Sequence, residues 1–502
     1  MRKWWPLVTV CLGTFMLLID VTIVNVALPP MTSDLGSSFG SLQWVLDGYA
    51  LALGVLLLGA GSLGDRVGHR RLYAGGPVVF ALSSLACGLA GTDTVLIAAR
   101  VVQGAGAAAM FTTTSALLNS AYQGRERGVA YGIWGGVSGA AAAIGPVLGG
   151  LLTDGLGWRW IFLVNLPISV VTIVLCRTVL RPGERHRTGR FDVAGLLAFT
   201  VFAAALTVAL IRANEVGWST PRTWGLLLLS AVALAVFVAW ERRDPHPMLD
   251  LSLLRNRSFT GILIASLLVN FAAFASFTYT SVWLQSLIGL SPLEAGLTGL
   301  PMGLASVTTG LAASRLQSRY PRALMGGGML LIGVGALLCA ALLGAGSSWP
   351  ALVPGFVAIG VGVGMALPVM ASAGMATVPP RRGGMAAGAL NTARQLGFAV
   401  GIAVLGAVFA SRAAGRLADH GVPDPTAAAH ALAAGRSGRI LGAASDPASV
   451  SAALHDAAAA GLDGGFLIAG GAGLLGALAV LLLVTTREAP ARDRSPSVSV
   501  PA

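Results

Sequence analysis

The chain has 502 residues, of which 55% are hydrophobic and 11% charged, and its mean hydropathy is +0.77. This composition excludes an ordinary soluble enzyme and is typical of an all-α membrane protein. The formal net charge of +12 lies mainly between apolar runs, which indicates membrane orientation and argues against nucleic acid as a partner. Lys3 is the one lysine, so the sequence holds no Walker A phosphate loop. The four cysteines stand singly and the six histidines fall between apolar runs, so neither a metal site nor a disulfide framework is expected.

Apolar stretches long enough to cross a bilayer recur along the whole chain, and fourteen spans are predicted. The first follows Arg2 and Lys3 like a signal peptide, but its length and Asp20 favour an uncleaved helix. Basic residues concentrate on one side of this topology, which predicts a plasma-membrane protein with both termini cytoplasmic and the lipid bilayer around it. The predicted spans are 7–28, 43–63, 73–91, 95–118, 128–152, 160–180, 192–211, 223–240, 259–285, 293–314, 323–345, 350–373, 383–411 and 464–486.

Three charged residues fall within or at the edge of spans one, two and four. Asp20 is the most informative, because a carboxylate in an apolar helix costs roughly 2.5–3.5 kcal/mol and usually faces a partner inside the bundle. At 1.5 Å per residue, Asp20 lies about 13 Å below the outer end of its span, Arg100 about 8–9 Å and Asp47 roughly 6 Å. All three are therefore within side-chain reach if the helices are neighbours.

The connection between spans two and three is rich in glycine and charge. Its glycines permit a tight turn and close helix approach, and its charges are suited to pairing with a helix end or a neighbouring helix, which would lock one conformation. The alternative is an ordinary basic cytoplasmic loop. The residues predicted to form this lock are Gly61, Gly64, Asp65, Arg66, Gly68, Arg70 and Arg71.

Small residues dominate the end of span five, where Gly145, Gly149 and Gly150 follow Gly132. Such a pattern lets another helix backbone approach closely. Pro146 removes one helix hydrogen bond and permits a bend. The segment is interpreted as a close-packed, bendable helix between two halves of the bundle, with tight packing without a gating role as the alternative.

Four further polar residues in apolar spans are candidates for lining a substrate cavity: Asn25, Gln103, Asn270 and Arg394. Arg394 has no acidic residue near it on its own predicted helix. It is suited to a second conformational lock or to an anionic substrate group, and pairing with backbone carbonyls is the alternative.

These motifs resemble those of one transporter family. Residues 61–71 resemble the cytoplasmic loop motif of the major facilitator superfamily. Residues 19–29 resemble the first-helix signature of its fourteen-helix drug/proton antiporter branch, the EmrB/QacA-like proteins. Residues 100–108 are similar to the fourth-helix motif, whose arginine is linked to proton coupling, and Gly132 with residues 145–150 resembles the fifth-helix antiporter motif.

The resemblance extends to about residue 486, with residues 158–167 similar to the entry of the sixth helix and 391–397 to the thirteenth. Two positions depart from the family pattern. Ala141 stands where the fifth-helix motif usually has Gly, which weakens the transfer of the antiporter mechanism, and His69 stands where the loop motif usually has Arg or Lys.

The resemblance implies an all-α major-facilitator bundle of fourteen helices, with two six-helix halves and two inserted central helices. Residues 1–190 form the first half, 191–257 the inserted helices with a cytoplasmic linker, and 258–486 the second half. The second half includes an extracellular loop at about 412–463, expected to hold one or two surface helices, and a disordered cytoplasmic tail covers 487–502.

The implied function is proton-coupled efflux of a small organic compound, an antibiotic or other drug, giving resistance. The proton gradient supplies the energy, so no cofactor is expected, and the protein is expected to be a monomer. Asp20 is the predicted proton carrier, Arg100 either changes its proton affinity or competes with the proton, and Asp47 adds charge near the outer mouth; a static salt bridge is the alternative. A proton-coupled importer or exporter of a metabolite and a non-transporting membrane protein are the other functions considered.

Overall fold

The computed structural model describes the chain except at a few short segments and the C-terminal tail. The predicted tail at 487–502 lies beyond the described residues. The residues described are 2–37, 39–180, 190–216, 218, 220–317, 319–344, 346–379, 382–442 and 446–485.

Within those ranges the chain is α-helical, with three short 3-10 segments and no strand, as the apolar composition predicts. The α-helices are, in chain order, α1 Trp5–Leu35, α2 Phe39–Val67, α3 His69–Gly88, α4 Asp93–Ala121, α5 Gly124–Leu156, α6 Trp160–Leu163, α7 Asn165–Val179, α8 Val193–Val216, α9 Pro221–Glu241, α10 Arg257–Ala273, α11 Ala275–Ser286, α12 Pro292–Leu297, α13 Leu300–Ala313, α14 Pro321–Leu342, α15 Val353–Ala376, α16 Gly383–Asp419, α17 Pro425–Ala433, α18 Ser437–Gly442 and α19 Pro447–Leu483.

Polar caps start several of these helices where the sequence changes from loop to apolar run. Thr92 accepts a hydrogen bond from the backbone of Val95 at the start of α4, and Ser291 forms a reciprocal capping box with Glu294 in α12. Asp446 accepts from two backbone N–H groups at the start of α19. Each cap satisfies donors that the first turn of a helix leaves without a partner.

Eleven helical segments of the described chain are long and apolar enough to cross a membrane. The all-α membrane prediction is confirmed, whereas the count of fourteen spans is not. The predicted spans 73–91, 128–152 and 293–314 correspond to α3, α5 and the pair α12–α13, which are absent from the eleven. α3 opens with His69, Arg70 and Arg71, and α13 has only 14 residues because the chain turns at Thr298 and Gly299.

The helices pack as two groups that meet along two seams. In the first group α1 packs on α5 and α7, and α4 packs on α2 and α3; in the second, α14 packs on α15 and α19, and α10 on α16 and α19. The seams are α2 against α16 and α5 against α13. The paired helices α8 and α9 lie beside the first seam, where α8 contacts both α2 and α16.

The antiparallel order gives the bundle two ends. The end where α1 begins and α16 begins is called here the terminal end, and the end where both helices finish is the far end. At the far end, the segment predicted as a loop at 412–463 is largely helical: it contains the end of α16, all of α17 and α18, and the start of α19.

Candidate functional site

Asp20 lies in α1 at the centre of a fully buried polar cluster. Its Oδ2 accepts a hydrogen bond from Arg100 Nη1 of α4 at 2.5 Å. Its Oδ1 accepts from Asn165 Nδ2 of α7 at 2.9 Å and from Gln103 Nε2 at 3.1 Å. Two neighbouring helices therefore supply three donors to one carboxylate, which offsets the cost of placing it inside an apolar bundle.

Arg100 is held on every side by the first group of helices. Its Nε donates to the Val45 carbonyl of α2 at 2.9 Å, and Nη1 also reaches Gln103 Oε1 at 2.7 Å. The guanidinium carbon lies 4.2 Å from the centre of the Tyr49 ring, a cation–π contact. Arg100 Nη2 and the Tyr49 hydroxyl are buried and have no hydrogen-bond partner among the described residues. Arg100 and Tyr49 are thus closely packed, but each has a buried polar atom without a hydrogen-bond partner among the described residues.

The environment makes this ion pair costly to break. Both side chains are 0% exposed, and removing one partner of a buried ion pair typically costs about 3–5 kcal/mol because the other charge stays buried. Any change that neutralised Asp20 would leave the Arg100 charge buried without its carboxylate partner.

Sequence reasoning found some members of this cluster and missed one. Gln103, a cavity candidate, instead joins Arg100 to Asp20 and also donates to Ser84 Oγ at 2.7 Å. Asn165 is not among the predicted site residues, although it is a polar residue at the start of α7 within an otherwise apolar stretch, and this pattern is the available signal. Asp47 lies two residues after Val45 on α2 and is partly buried, and its role stays a prediction.

Two of the other cavity candidates, Asn270 and Arg394, lie on helices of the second group. Asn25 lies on α1, but its side chain is outside the described residues. Asn270 lies partly buried near the end of α10, where its carbonyl accepts from the Phe274 N–H at the break before α11. Arg394 is partly buried on α16 and donates to Asn391 Oδ1, one turn before it. The contact with an amide on its own helix leaves its predicted roles open.

The loop motif joins the two groups of helices at the terminal end. Asp65, at the end of α2, is 1% exposed. Its two oxygens accept from the backbone N–H groups of Gly384 at 2.7 Å and Met385 at 2.9 Å, in the first turn of α16. A carboxylate at this position satisfies two donors of the helix and faces the positive end of its dipole. His69 Nε2 lies 3.3 Å from the same carboxylate.

Close backbone contact surrounds that cap. A Cβ atom at Gly61 would overlap the carbonyl oxygen of Gly384 across the seam, and one at Gly64 would lie 2.7 Å from the His69 ring. Gly68 has a φ of +94°, which disfavours any residue with a side chain. Asp65, Gly61 and the start of α16 are called the latch below.

Two arginines of the motif, Arg66 and Arg70, donate hydrogen bonds to neighbouring segments. Arg66 Nη2 donates to the His246 carbonyl at 2.9 Å, and its guanidinium lies 5.4 Å from the centre of the Phe191 ring. Arg70 donates to the Cys176 and Arg177 carbonyls at the end of α7, at 3.3 and 2.6 Å. Arg71 is exposed.

The glycines of α5 make contacts with helices of both groups. A Cβ at Gly145 would overlap the Thr22 hydroxyl of α1, and one at Gly149 would lie 2.9 Å from the Ile23 carbonyl. Gly132 faces α13 of the other group, where a Cβ would lie 3.0 Å from Leu311. Gly150 has nothing within 4 Å, and the Pro146 side chain is not described. α5 is therefore packed closely against α1 and lies at the second seam.

A bundle of antiparallel apolar helices in two groups, with a buried ion pair in one of them, defines a multi-pass membrane protein of the transporter type. Comparison with protein families agrees: residues 10–402 match the Major Facilitator Superfamily. The chain therefore belongs to this superfamily, whose members are transporters and not enzymes.

Two of the similar proteins are named for resistance to drugs or antibiotics. The multidrug resistance protein Stp of Mycobacterium tuberculosis is 37% identical over 427 residues, which cover 84% of this chain and 79% of that protein. The tetracenomycin C resistance and export protein of Streptomyces glaucescens is 31% identical over 99% of this chain and 94% of its own length. The crystal structure of the human organic anion transporter MFSD10 matches with a TM-score of 0.62 and 16% identity, over 95% of this chain and 99% of that one, which supports the fold alone.

Proposed function

We propose that this protein exports a small organic compound, an antibiotic or other drug, across the plasma membrane in exchange for protons, and so confers resistance. The observation that carries the proposal is the buried pair of Asp20 and Arg100. The names of the similar proteins, which include resistance and export, support the direction of transport. The proton gradient is the energy source, and the protein works as a monomer.

The proposed topology has fourteen spans: two six-helix halves with α8 and α9 inserted between them, and α3, α5 and α12–α13 as the spans beyond the eleven. Both termini are then cytoplasmic, and the terminal end is the cytoplasmic face. The excess of arginine in the connections at that face supports this orientation. The fourteen-helix arrangement is also what the drug/proton antiporter resemblance implies.

In the proposed cycle, Asp20 alternates between two partners. The ionised carboxylate holds Arg100 Nη1 and the amides of Gln103 and Asn165. A proton that enters from outside neutralises the carboxylate and releases Arg100, whose charge remains buried beside Tyr49. This change in stability between two packings of α1, α4 and α7 is the event that biases the conformation.

In this cycle, the latch and α5 are the parts of the structure that move after Asp20 binds a proton. The contact of Asp65 with α16 holds the terminal end closed, and this contact must break for the drug to enter from the cytoplasm. The glycines of α5 keep α1 close to α5 while α5 moves along α13. Proton binding at Asp20 is therefore linked to the opening of the latch through rigid helices.

The test replaces Asp20 with Asn and measures efflux of a fluorescent drug from cells and proteoliposomes, with and without an uncoupler. Asn keeps the size and one acceptor but neither ionises nor exchanges a proton. We expect Asp20→Asn to lose gradient-driven efflux while energy-independent equilibration of the drug continues, which also demonstrates a folded protein.

Asp34 offers a matched control on the same helix. It is exposed at the far end and pairs with Arg159 at 2.6 Å, so Asp34→Asn makes the same chemical change away from the cluster. This variant should retain uncoupler-sensitive efflux. Undiminished gradient-driven efflux by Asp20→Asn would overturn the assignment of the proton site.

A further inference from the structure

A second pair of acidic residues lies at the terminal end, in the helices α8 and α9. Asp192 directly precedes α8, and Glu241 is the last residue of α9; each is only 4% exposed. The two carboxyls lie close together, because Asp192 Oδ2 and Glu241 Oε1 both border the same space beside Gly195. The site is separate from Asp20 and includes none of the residues assigned above.

The hydrogen bonds of the two carboxyls are unequal. Asp192 accepts from three N–H groups: Oδ1 from Gly195 at 2.7 Å and Trp240 Nε1 at 2.9 Å, and Oδ2 from Met248 at 3.4 Å. Among the described residues, Glu241 accepts from one, the backbone of Leu249, at 3.2 Å on Oε2. Donors stabilise an ionised carboxyl, so the hydrogen bonds around the pair favour a negative charge on Asp192 over one on Glu241.

The remaining oxygen of Glu241 points to a bound proton. Its Oε1 is buried and has no hydrogen-bond partner among the described residues. A Cβ atom at Gly195 would overlap Asp192 Oδ2 and lie 2.9 Å from Glu241 Oε1, so both oxygens border the space beside this glycine. Two buried negative charges this close repel strongly, and a proton on Oε1 converts the repulsion into an O–H···O⁻ hydrogen bond.

The nearby arginines that face this region bind other groups, so they do not neutralise the two carboxyls in place of a proton. The described charged groups near the pair and the connection beside it include Asp244 and His246 of the connection, Arg66 of α2 and Arg382 just before α16, while Arg190, Arg242 and Arg243 are exposed. Arg66 donates to the His246 carbonyl, and Arg382 pairs with Asp250 at 2.6 Å. No set of three or more His, Cys, Asp or Glu suited to a metal ion occurs in the described chain, which favours a proton over a metal.

We propose that Asp192 and Glu241 form a second proton-binding site, in which one proton on Glu241 Oε1 is shared between the two carboxyls. The proton comes from the solution at the terminal end and returns to it. Because two such groups titrate as a unit, the site holds one proton or none over the range in which it responds.

The site is connected to the latch through the segment 242–250. The pair holds this segment by the N–H groups of Met248 and Leu249. The same segment accepts from Arg66 through the His246 carbonyl and contacts α16 through Asp250, whose N–H lies 3.2 Å from Met385 Sδ. Loss of the proton places two charges in this contact and loosens the segment, so that pH at the terminal end adjusts how firmly the latch closes.

The binding of the proton is tested without transport, by infrared spectroscopy of the purified full-length protein in lipid nanodiscs. The wild type should show the carbonyl band of a protonated carboxyl at neutral pH, and the band should disappear as the solution is made alkaline. Glu241→Gln should lose the band, because its amide donates to Asp192 as the protonated acid does and needs no proton. Glu294→Gln, which changes an exposed glutamate at the far end, should keep it.

Asp192→Asn is the second variant, because it removes the repulsion that holds the proton and should also lose the band at neutral pH. A band that is unchanged in Glu241→Gln, or one that disappears on addition of sodium, magnesium or calcium alone, would overturn the proposal. Only the effect on efflux rests on the proposed function. Failure of this proposal and failure of the proposed function can be distinguished. Asp20→Asn should abolish gradient-driven efflux and leave the Glu241 band intact. Glu241→Gln should lose the band and retain gradient-driven efflux, but the dependence of that efflux on internal pH should become flatter.

Discussion

The latch can be weakened by a single conservative change, Asp65→Asn. Asp65 is 1% exposed, and its two oxygens accept from Gly384 and Met385 at 2.7 and 2.9 Å. Asn keeps one acceptor but turns an NH₂ group toward the other backbone N–H, so one charge-assisted hydrogen bond is lost. Such a bond contributes about 1.5–3 kcal/mol, and in the open state both groups are hydrated and lose nothing. The equilibrium should therefore shift toward the open terminal end by roughly 10- to 150-fold.

Thiol labelling measures this shift. Ser62 lies one turn before Asp65, is 0% exposed and serves as the reporter when changed to Cys. The four native cysteines, Cys11, Cys87, Cys176 and Cys339, are all buried, so labelling of the reporter can be distinguished. The rate of maleimide labelling at Ser62→Cys should rise by roughly 10- to 150-fold when Asp65→Asn is added.

Asp446→Asn is the matched control. Asp446 also accepts from two backbone N–H groups, those of Ala448 and Ser449 at 3.2 and 3.4 Å, but it caps its own helix at the far end. This variant should leave labelling of the reporter unchanged. If Asp65→Asn remains folded and labels no faster than its parent, the cap does not hold the two groups of helices together.

Two further predictions concern α1 and its contacts. Gly145→Ala should destabilise the protein by about 1–3 kcal/mol and lower efflux, because the new Cβ overlaps the Thr22 hydroxyl, whereas Gly150→Ala, with open space around it, should melt like the wild type; equal melting temperatures would contradict this packing. Side-chain hydrogen bonding to Arg159 holds the pKa of Asp34 below its usual value, so its contribution is present at neutral pH and is lost as the pH falls through that lowered pKa. Thermal melting from neutral to acidic pH should accordingly fall more steeply for the wild type than for Asp34→Asn, and parallel curves would refute this.

The depth of a residue along its helix could be predicted from sequence, and depth alone placed Asp20 and Arg100 within side-chain reach of each other if their helices were neighbours. The structure places them in direct contact. Their other neighbours depend on how each helix is rotated and on which helices are adjacent, and neither follows from one apolar run. Asn165 reaches Asp20 because α7 packs on α1, a relation that spacing within either helix does not contain.

The composition predicts the helical class, which is confirmed, but the predicted count of fourteen membrane spans is not confirmed. Hydropathy recognises long continuous helices, and it does not anticipate the turn at Thr298 and Gly299 that separates α12 from α13. For 412–463, alanine and polar spacing predict an extracellular loop with one or two surface helices, and the structure has α17 and α18 there. Most of that segment is helical, and its two ends prolong α16 and α19, because alanine is the best helix former wherever a helix already exists to extend.

The acid pair at Asp192 and Glu241 could not be predicted from the sequence. The two residues are far apart in the chain and each stands at the edge of a predicted span, where an acidic residue is ordinary. Only the antiparallel packing of α8 on α9 brings them together and buries them.

α16 runs without a break for 37 residues, which makes it about 55 Å long, against about 30 Å for the apolar interior of a bilayer. Its first turn is held by Asp65, while near its other end Arg412 and Arg416 pair with Asp463 and Asp456 of α19 at 3.2 and 3.8 Å. A tilt of about 10° around the held turn would carry the opposite tip by roughly 10 Å. A tilt of α16 about its first turn would therefore displace its contacts with α19 at the far end much more than its contacts with Asp65.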